Sequence, residues 1–212
     1  MESNGNTVAQ QQQSGEPHKL NSTWTFYYAS RKESDRHIPY SERLTKIAEF
    51  ETMEDFLRYY LYLKPVNEIS RDIDIGLFKK GYQPLWESCP DSGYWFLRFR
   101  RTADLKEINN KWEKVVFSLV CEQFDEPNML GAVLSMRGRE TIIEIWFNYF
   151  KYEKIKNAVA LKFGKLIIGE AAENENSILS FKDTSQSLLD KSTLRNTETY
   201  SFKKKPRKYT YK

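Results

Sequence analysis

Hydrophobic and polar residues follow two different periods along this chain. Segments rich in aromatic and β-branched residues, several of which alternate apolar with polar positions, are typical of strands. The predicted strands are residues 23–28, 44–50, 72–81, 94–100, 131–136, 141–147 and 165–169. Apolar residues three or four positions apart predict helices at residues 52–64, 109–124 and 153–163.

The order of these elements indicates the fold class. Short strands joined mostly by hairpins, with helices inserted between pairs of them, are typical of an α+β protein. We therefore predict an antiparallel sheet with helices on one face. The other face of the sheet is left free for a ligand.

Two of the predicted helices carry clear local signals. Thr52 is a favourable N-cap residue, and Pro65 ends the segment that follows it. The later helix has an apolar face with the spacing i, i+3, i+4 and i+7, formed by Trp112, Val115, Val116 and Leu119.

The ends of the chain differ in composition from its middle. Residues 1–17 are polar and contain four consecutive glutamines, which predicts a disordered N-terminal tail. From about residue 171 the chain becomes polar again and ends in a basic cluster. We therefore expect one folded domain at residues 18–170, followed by a polar C-terminal extension at residues 171–212.

Composition limits the classes of protein to consider. With 212 residues, of which 40% are hydrophobic and 15% aromatic, the chain can bury one core and is not disordered as a whole. No apolar stretch approaches the roughly 20 residues of a membrane span, and the N-terminus lacks the pattern of a secretory signal. We therefore expect a protein of the cytosol or nucleus that does not enter a membrane.

The positive charge is concentrated at the C-terminus. Residues 201–212 hold six of the 33 basic residues and no acidic one, so the remainder has 27 basic residues against 29 acidic ones. Any affinity of the body for nucleic acid must therefore come from a local pocket, not from a basic surface. The cluster at residues 203–208 fits a nuclear import signal and a tail weakly attracted to RNA equally well.

Several kinds of chemistry lack support in the sequence. Two cysteines and two widely separated histidines give neither a disulfide framework nor a zinc spacing, so no metal is expected. The chain has no G-x-G-x-x-G, no P-loop and no G-x-S-x-G motif. Nucleotide hydrolysis and serine hydrolase chemistry are therefore unsupported.

The most informative loop places Trp86 beside Glu87, between Pro84 and Pro90. An exposed loop tryptophan usually has a binding partner. The alternative interpretation is that Trp86 covers the edge of the core and that Glu87 is merely solvated. This loop alone slightly favours the second interpretation, and the neighbouring segments change the balance.

Six short segments in a fixed order resemble the messenger-RNA cap-binding family of eukaryotic translation initiation factor 4E. They are W-T-F-Y-Y, F-E-T-M-E-D-F, G-x-x-P-L-W-E, K-W-E-K-V-V-F-S-L-V-C-E-Q-F, G-A-V-L-S-M-R and I-I-E-I-W. The resemblance implies a single domain with a curved, eight-stranded antiparallel sheet. Helices would cover the convex face, and the capped end of messenger RNA would bind the concave face.

The resemblance also implies which residues bind the cap. Guanine methylated at N7 is a cation, and aromatic rings above and below it contribute stacking and cation–π attraction. Trp86 is similar to one of these rings. Alignment without gaps places Tyr40 at the other, where most members carry tryptophan and the 4E homologous protein class carries tyrosine. The weaker quadrupole of a phenol predicts looser binding, and the alternative for Tyr40 is an aromatic residue at a strand edge.

Three further residues complete the expected cap site. The carboxylate of Glu87 can accept hydrogen bonds from the adjacent N1 and N2 donors of guanine. By resemblance, Trp146 lies against the N7 methyl group and Arg137 binds the phosphates. The alternatives are core packing for Trp146 and a solvated turn for Arg137.

The chain departs from the family at the phosphate site. Ile142 occupies a position where many members carry a second phosphate-binding lysine. Arg139 is the expected substitute, and the other possibility is a more weakly held triphosphate. Tyr94 stands where a basic residue usually precedes Trp95.

A second departure concerns protein partners. Leu57 occupies the position of a family tryptophan that contacts the Tyr-x-x-x-x-Leu motif of scaffold and repressor proteins. The residues that could still form this groove are Met53, Glu54, Asp55, Leu57 and Phe117. The alternative is that they form only a helix start and a core contact.

The leading hypothesis is a non-enzymatic monomer that needs no cofactor. It would bind the 7-methylguanosine cap of messenger RNA and present it to an initiation scaffold or to a repressor. One alternative is a cap-processing or nucleotide-hydrolysing enzyme, and another is a family member that no longer binds the cap and acts as an interaction scaffold. The expected location is the cytoplasm, with the nucleus added if the basic cluster acts as an import signal.

Overall fold

The computed structural model describes residues 15–124, 128–169 and 178–201. Within these residues the strands are β1 Lys19–Ser30, β2 Leu44–Thr52, β3 Ile73–Lys79, β4 Ser92–Arg100, β5 Met129–Met136, β6 Glu140–Asn148, β7 Ile178–Asp183 and β8 Glu198–Ser201. The α-helices are α1 Tyr40–Arg43, α2 Met53–Tyr62, α3 Leu105–Val120, α4 Glu153–Ile168 and α5 Thr184–Asp190. Short 3₁₀ turns occupy Glu33–Asp35 and Val66–Glu68.

The strands form one eight-stranded sheet in the order β2-β1-β3-β5-β6-β4-β7-β8. Every neighbouring pair is antiparallel. The predicted α+β class and the single eight-stranded sheet are therefore confirmed. In the part of the chain that the structure describes, no helix is long and apolar enough to cross a membrane.

The alternation along the strands divides the buried residues between the two faces of the sheet. On the helix face, alternate residues such as Ile143 and Ile145 of β6 join a large core with α2, α3 and α4. On the opposite face, which we call the site face, Ile142 and Trp146 of the same strand belong to a second, smaller apolar cluster. The site face also carries buried polar residues, described below.

The helix signals read from the sequence hold in the structure. The Thr52 hydroxyl accepts a hydrogen bond from the Asp55 backbone N–H at 3.2 Å, which caps α2. In α3, the predicted apolar face is buried in the core below the helix, at Trp112, Val115, Val116 and Leu119. The cap defines the start of α2, whose Phe56 is buried in the same core, and the buried face of α3 fixes that helix against the sheet.

The strand predicted at residues 165–169 is wrong, because α4 continues through Ile168. Val159, Phe163 and Ile167 are all buried and lie four residues apart, so the helical period extends through the segment. Gly169 ends the helix with a φ of 83°, a left-handed conformation that glycine adopts without steric cost.

The expected domain boundary at residue 170 is also corrected. Residues 178–201 supply β7, α5 and β8, so the last two strands of the sheet come from the segment predicted to be a polar extension. The predicted boundary lies too early because the segment is rich in polar residues, which usually lie at the surface. Some of them are buried here, and Lys182 of β7 is only 2% exposed. The predicted N-terminal tail, apart from residues 15–17, and the basic cluster at 203–208 lie outside the described residues.

Candidate ligand-binding site

A cavity of about 210 Å³ opens on the site face of the sheet. Tyr40, Trp86, Glu87 and Trp146 all line it. They come from α1, from the loop between β3 and β4, and from β6. The structure therefore brings together, from three separate segments, four of the residues predicted to bind the cap.

The loop that carries Trp86 and Glu87 is held against β3. Pro84 is buried over Gly76, where an added Cβ would lie 3.2 Å from the proline ring. The buried Cys89 thiol donates to the Gln83 carbonyl at 3.4 Å, and the Cys89 backbone N–H donates to the Trp86 carbonyl at 3.3 Å. These contacts fix the backbone around Trp86, while its indole stays half-buried at the cavity and Glu87 stays exposed.

Tyr40 is held at the cavity through its hydroxyl group. The hydroxyl donates to Asp74 Oδ2 at 2.7 Å. The guanidinium carbons of Arg31 and Arg43 lie 5.2 and 5.4 Å from the centre of the ring. Burial, reinforced by the charge of Asp74, raises the pKa of Tyr40, so the phenol remains a neutral hydrogen-bond donor.

Asp74 is the centre of a buried polar cluster. It is 2% exposed, and Ser135 on the neighbouring strand β5 donates to its Oδ1 at 2.5 Å. Arg31 Nε donates to Oδ2 at 2.5 Å, beside the hydroxyl of Tyr40. Three donors thus satisfy the carboxylate, which is what a buried charge requires.

The other end of the cavity contains Trp146 and Glu144, two residues apart on β6. The Trp146 ring stacks on Tyr94 with centroids 5.0 Å apart, and it meets Phe78 edge-on at 5.5 Å. Trp146 Nε1 donates to Glu144 Oε2 at 3.0 Å. Trp146 is therefore both a core residue and part of the cavity wall, so the two interpretations made from the sequence are compatible.

Arg137 and Arg139, the two predicted phosphate ligands, do not line the cavity. Arg137 lies half-buried over the sheet, and it donates to Ser135 Oγ at 3.1 Å and to Thr193 Oγ1 at 3.2 Å. Arg139 is exposed beside Arg98, at a separate surface depression. Arg31 and Arg43 are the basic residues that line the cavity.

The other polar and charged residues that line the cavity, which were not identified from the sequence, are Arg31, Arg43, Asp74, Glu144 and Thr193. Asp74 and Glu144 could have been found, because each is an acid inside an otherwise apolar strand, I-D-I-G and I-I-E-I-W. The two arginines flank Tyr40 in a charged segment that has no distinctive pattern. Thr193 lies in the segment that was predicted to be outside the domain.

The residues predicted to bind a protein partner lie on the helix face. Met53, Glu54, Asp55 and Leu57 belong to α2, and Phe117 belongs to α3. The set occupies adjacent surfaces of two packed helices.

These positions differ in how accessible they are. Phe117 packs edge-on against Phe56 with centroids 5.0 Å apart, and Glu54 binds the backbone and ring of His18. Leu57 is 38% exposed, while Leu61 and Tyr62 on the same helix are 79% and 87% exposed. The apolar surface available to a partner is therefore centred on α2.

Comparison with known proteins identifies the family. Residues 19–199 match the sequence model of the family described as eukaryotic initiation factor 4E. The chain is 30% identical to eukaryotic translation initiation factor isoform 4E of Nicotiana tabacum over 167 residues, covering 77% of this chain and 80% of the relative. It is 33% identical to eukaryotic translation initiation factor 4E1 of Drosophila melanogaster over 132 residues, 61% of this chain and about half (49%) of that protein.

Solved structures show the same fold. The eIF4E-3 of C. elegans, in complex with the 4E-binding protein Mextli, superposes with a TM-score of 0.72 at 20% identity, covering 86% of this chain and 99% of that one. The eIF4E-3 of Ascaris suum, solved with the m2,2,7G cap, gives a TM-score of 0.70 at 20% identity, covering 78% and 91%. Since the family model spans almost all of the described residues, the chain belongs to the eukaryotic initiation factor 4E family.

Proposed function

We propose that this chain binds the 7-methylguanosine cap of messenger RNA in the cavity on the site face. The observation that carries the proposal is the convergence of Tyr40, Trp86, Glu87 and Trp146 on one cavity, in a chain that belongs to the initiation factor 4E family. Family membership places the protein among translation initiation factors and not among enzymes.

The aromatic residues of the cavity bind the base of the cap. A methylated guanine between Tyr40 and Trp86 would gain about 1 to 3 kcal/mol from stacking on each ring and roughly 0.5 to 2 kcal/mol from cation–π attraction. Trp86 packs partly against the smaller apolar cluster, but it is only half-buried and lines the cavity, so its exposed part is available for stacking. Glu87, exposed at the cavity, accepts the hydrogen bonds of the N1 and N2 donors.

The cations that can bind the phosphates of the cap are not the ones expected from the sequence. Arg31 and Arg43 line the cavity, whereas Arg139 does not, and Ile142 is fully buried. Arg43 donates through Nη1 to the Ser30 carbonyl at 2.7 Å, while its buried Nε has no partner among the described residues. Arg43 therefore retains donor capacity for an anionic ligand.

A partner surface on α2 completes the proposal. The C. elegans relative was solved with a 4E-binding protein, and the exposed apolar residues of α2 here offer the corresponding kind of surface for a Tyr-x-x-x-x-Leu segment. Leu57, Leu61 and Tyr62 are the apolar contacts that we assign to it. We place the protein in the cytoplasm as a monomer, with nuclear entry dependent on residues 203–208.

A family member without cap binding is the second candidate. It is favoured by the environment of Tyr40, whose hydroxyl is bound to Asp74 and whose ring is flanked by two guanidinium groups. In that case the cavity would be a structural remnant and α2 would be the functional surface. The two candidates differ in what they predict for cap retention.

The test is retention on an immobilised cap analogue, with elution by 7-methylguanosine triphosphate and not by guanosine triphosphate. Trp86→Ala should lower the affinity about 5- to 150-fold, because it removes one stacking partner. Tyr62→Ala, an exposed aromatic on α2, is the matched control and should be retained like the wild type. Lack of retention of the wild type would favour the second candidate.

The partner surface is tested separately. Leu57→Asp places a charge on the exposed face of α2 and should weaken binding of a Tyr-x-x-x-x-Leu peptide in a calorimetric titration, without affecting cap retention. Equal peptide binding by this variant and the wild type would show that the partner uses another surface.

A further inference from the structure

Glu144 is a buried carboxylate that faces the cavity. The residue is only 5% exposed, yet it lines the cavity next to Trp146. Its Oε2 accepts the indole N–H of Trp146 at 3.0 Å, and its Oε1 accepts no hydrogen bond from residues 15–124, 128–169 and 178–201. Oε1 is not sealed inside the core, so it can accept a hydrogen bond from a ligand in the cavity or attract a positively charged one.

The charged groups around Glu144 do not satisfy this oxygen. Arg137 is the positive charge that acts on it most strongly, but the hydrogen bonds of that guanidinium go to Ser135 and Thr193. Arg31, the other nearby cation, is bonded to Asp74. Burial raises the pKa of Glu144, and Arg137 and the indole N–H of Trp146 oppose that shift by favouring the charged form.

The position of Glu144 indicates which part of a ligand it meets. It adjoins the aromatic wall formed by Trp146, whereas Arg31 and Arg43 lie beside Tyr40. A carboxylate repels phosphate and attracts a cation. The cavity therefore presents groups of both signs, which suits a ligand that combines a positive ring with negative phosphates.

We propose that Glu144 is a second acidic contact for the ligand and sets the preference of the cavity for a cationic, N7-methylated purine over a neutral one. The inference rests on the proposed cap-binding function. In this arrangement Glu87 binds the edge of the base through hydrogen bonds, while Glu144 supplies negative charge beneath the ring. A neutral guanine would make the same edge contacts but gain no charge attraction from Glu144.

The test compares two ligands on the full-length chain, 7-methylguanosine triphosphate and guanosine triphosphate, by isothermal titration calorimetry. Glu144→Gln preserves the shape and removes the charge, so it should lower affinity for the methylated ligand about tenfold. Affinity for the unmethylated ligand should stay the same or rise, because the repulsion of its phosphates is reduced. The ratio of the two affinities should therefore fall about tenfold or more.

Two further variants serve as controls. Glu140→Gln alters an acid on the same strand that pairs with Arg98 at 2.7 Å and does not line the cavity, so both affinities should match the wild type. Glu144→Asp retains the charge and should keep most of the methyl preference, which gives a second measurement if the glutamine variant folds poorly. Thermal unfolding of each variant reports its folding.

The outcomes separate the inference from the function on which it rests. An unchanged affinity ratio in Glu144→Gln, or an equal loss for both ligands, would overturn the role of Glu144 while leaving cap binding intact. A wild type that does not distinguish the two ligands would instead refute the proposed function. The inference about Glu144 would then be refuted as well, because it depends on that function.

Discussion

Tyr40 lines the cavity and is held there through its hydroxyl group, so substitutions at this residue test how the cavity holds a base. The ring is placed by one hydrogen bond from its hydroxyl to Asp74, at 2.7 Å, and by two guanidinium groups beside it. The ring and the hydroxyl can therefore be removed separately. Tyr40→Phe removes only the hydrogen bond, whereas Tyr40→Ala removes the aromatic surface.

The two variants should differ strongly in affinity for 7-methylguanosine triphosphate. Loss of one stacking surface is expected to cost about 1 to 3 kcal/mol, which corresponds to about 5- to 150-fold weaker binding of Tyr40→Ala. Tyr40→Phe should bind within a few-fold of the wild type, since Asp74 keeps the donors Arg31 and Ser135. Its expected defect is in folding, about 0.5 to 1.5 kcal/mol for one hydrogen bond.

Tyr40→Trp extends the series in the opposite direction. An indole has a stronger quadrupole than a phenol, so this variant should bind the methylated ligand a few-fold more tightly. Calorimetry is the suitable assay, because an added tryptophan would change the fluorescence of the five already present. Tyr149→Ala, a 56% exposed tyrosine outside the cavity, is the control. Wild-type affinity in Tyr40→Ala would refute the stacking role, and an equal loss in Tyr40→Phe would assign the effect to the bond with Asp74.

Two other predictions address the phosphates and the C-terminal segment. Arg43→Ala should weaken binding of 7-methylguanosine triphosphate several-fold and make the affinity less sensitive to salt. A titration over a series of KCl concentrations measures this dependence. An unchanged dependence of the affinity on salt would exclude Arg43 as a phosphate ligand. Asp190→Asn should destabilise the fold, because the buried ammonium of Lys182 binds Asp190 Oδ1 and Oδ2 at 2.7 and 2.6 Å. That hydrogen bond lowers the pKa of Asp190 below its ordinary 3.8, so the stabilisation is complete above pH 3.8 and is lost as the pH falls through the lower, folded-state pKa. Thermal unfolding at neutral and acidic pH measures this contribution. The wild type should lose it in acid, and the variant should lack it at both pH values. A variant as stable as the wild type at neutral pH would show that the Lys182–Asp190 pair does not stabilise the fold.

Much of the fold could be read from the chain because its strongest patterns are local. The aromatic and β-branched strands and the amphipathic face of α3 depend on spacing within a short segment. The last strands could not be read in this way. β7 is short and contains Lys182, whose burial depends on Asp190 and the Ser192 carbonyl eight and ten residues away.

Only those site residues that stand together in one short motif could be predicted from the sequence. Trp86 and Glu87 stand together in one loop, so their pairing is visible in the sequence. Asp74 is satisfied by donors from α1, β5 and the segment after β1, and no single segment shows that arrangement. Arg139 failed to reach the cavity because the turn that carries it points to the separate depression beside Arg98.

The charged residues on the site face form an ordered set across adjacent strands. Arg31 follows β1, Asp74 lies on β3, Arg137 follows β5 and Glu144 lies on β6, so positive and negative groups alternate along the sheet order β1-β3-β5-β6. Backbone hydrogen bonds fix the spacing at this end, from Arg31 N–H to the Asp72 carbonyl at 2.7 Å and from Asp72 N–H to the Met136 carbonyl at 2.6 Å.

Because the charges alternate, the pKa of each group depends on the charges of its neighbours. Burial and, after it, the charge of Arg31 lower the pKa of Arg137, while Arg137 favours the ionised form of Glu144. Removal of Arg137 would therefore act on the ligand through Glu144 as well as through any direct contact with phosphate. Substitutions at residues 137 and 144 should then be non-additive in their effects on binding, because both act on one coupled group of charges.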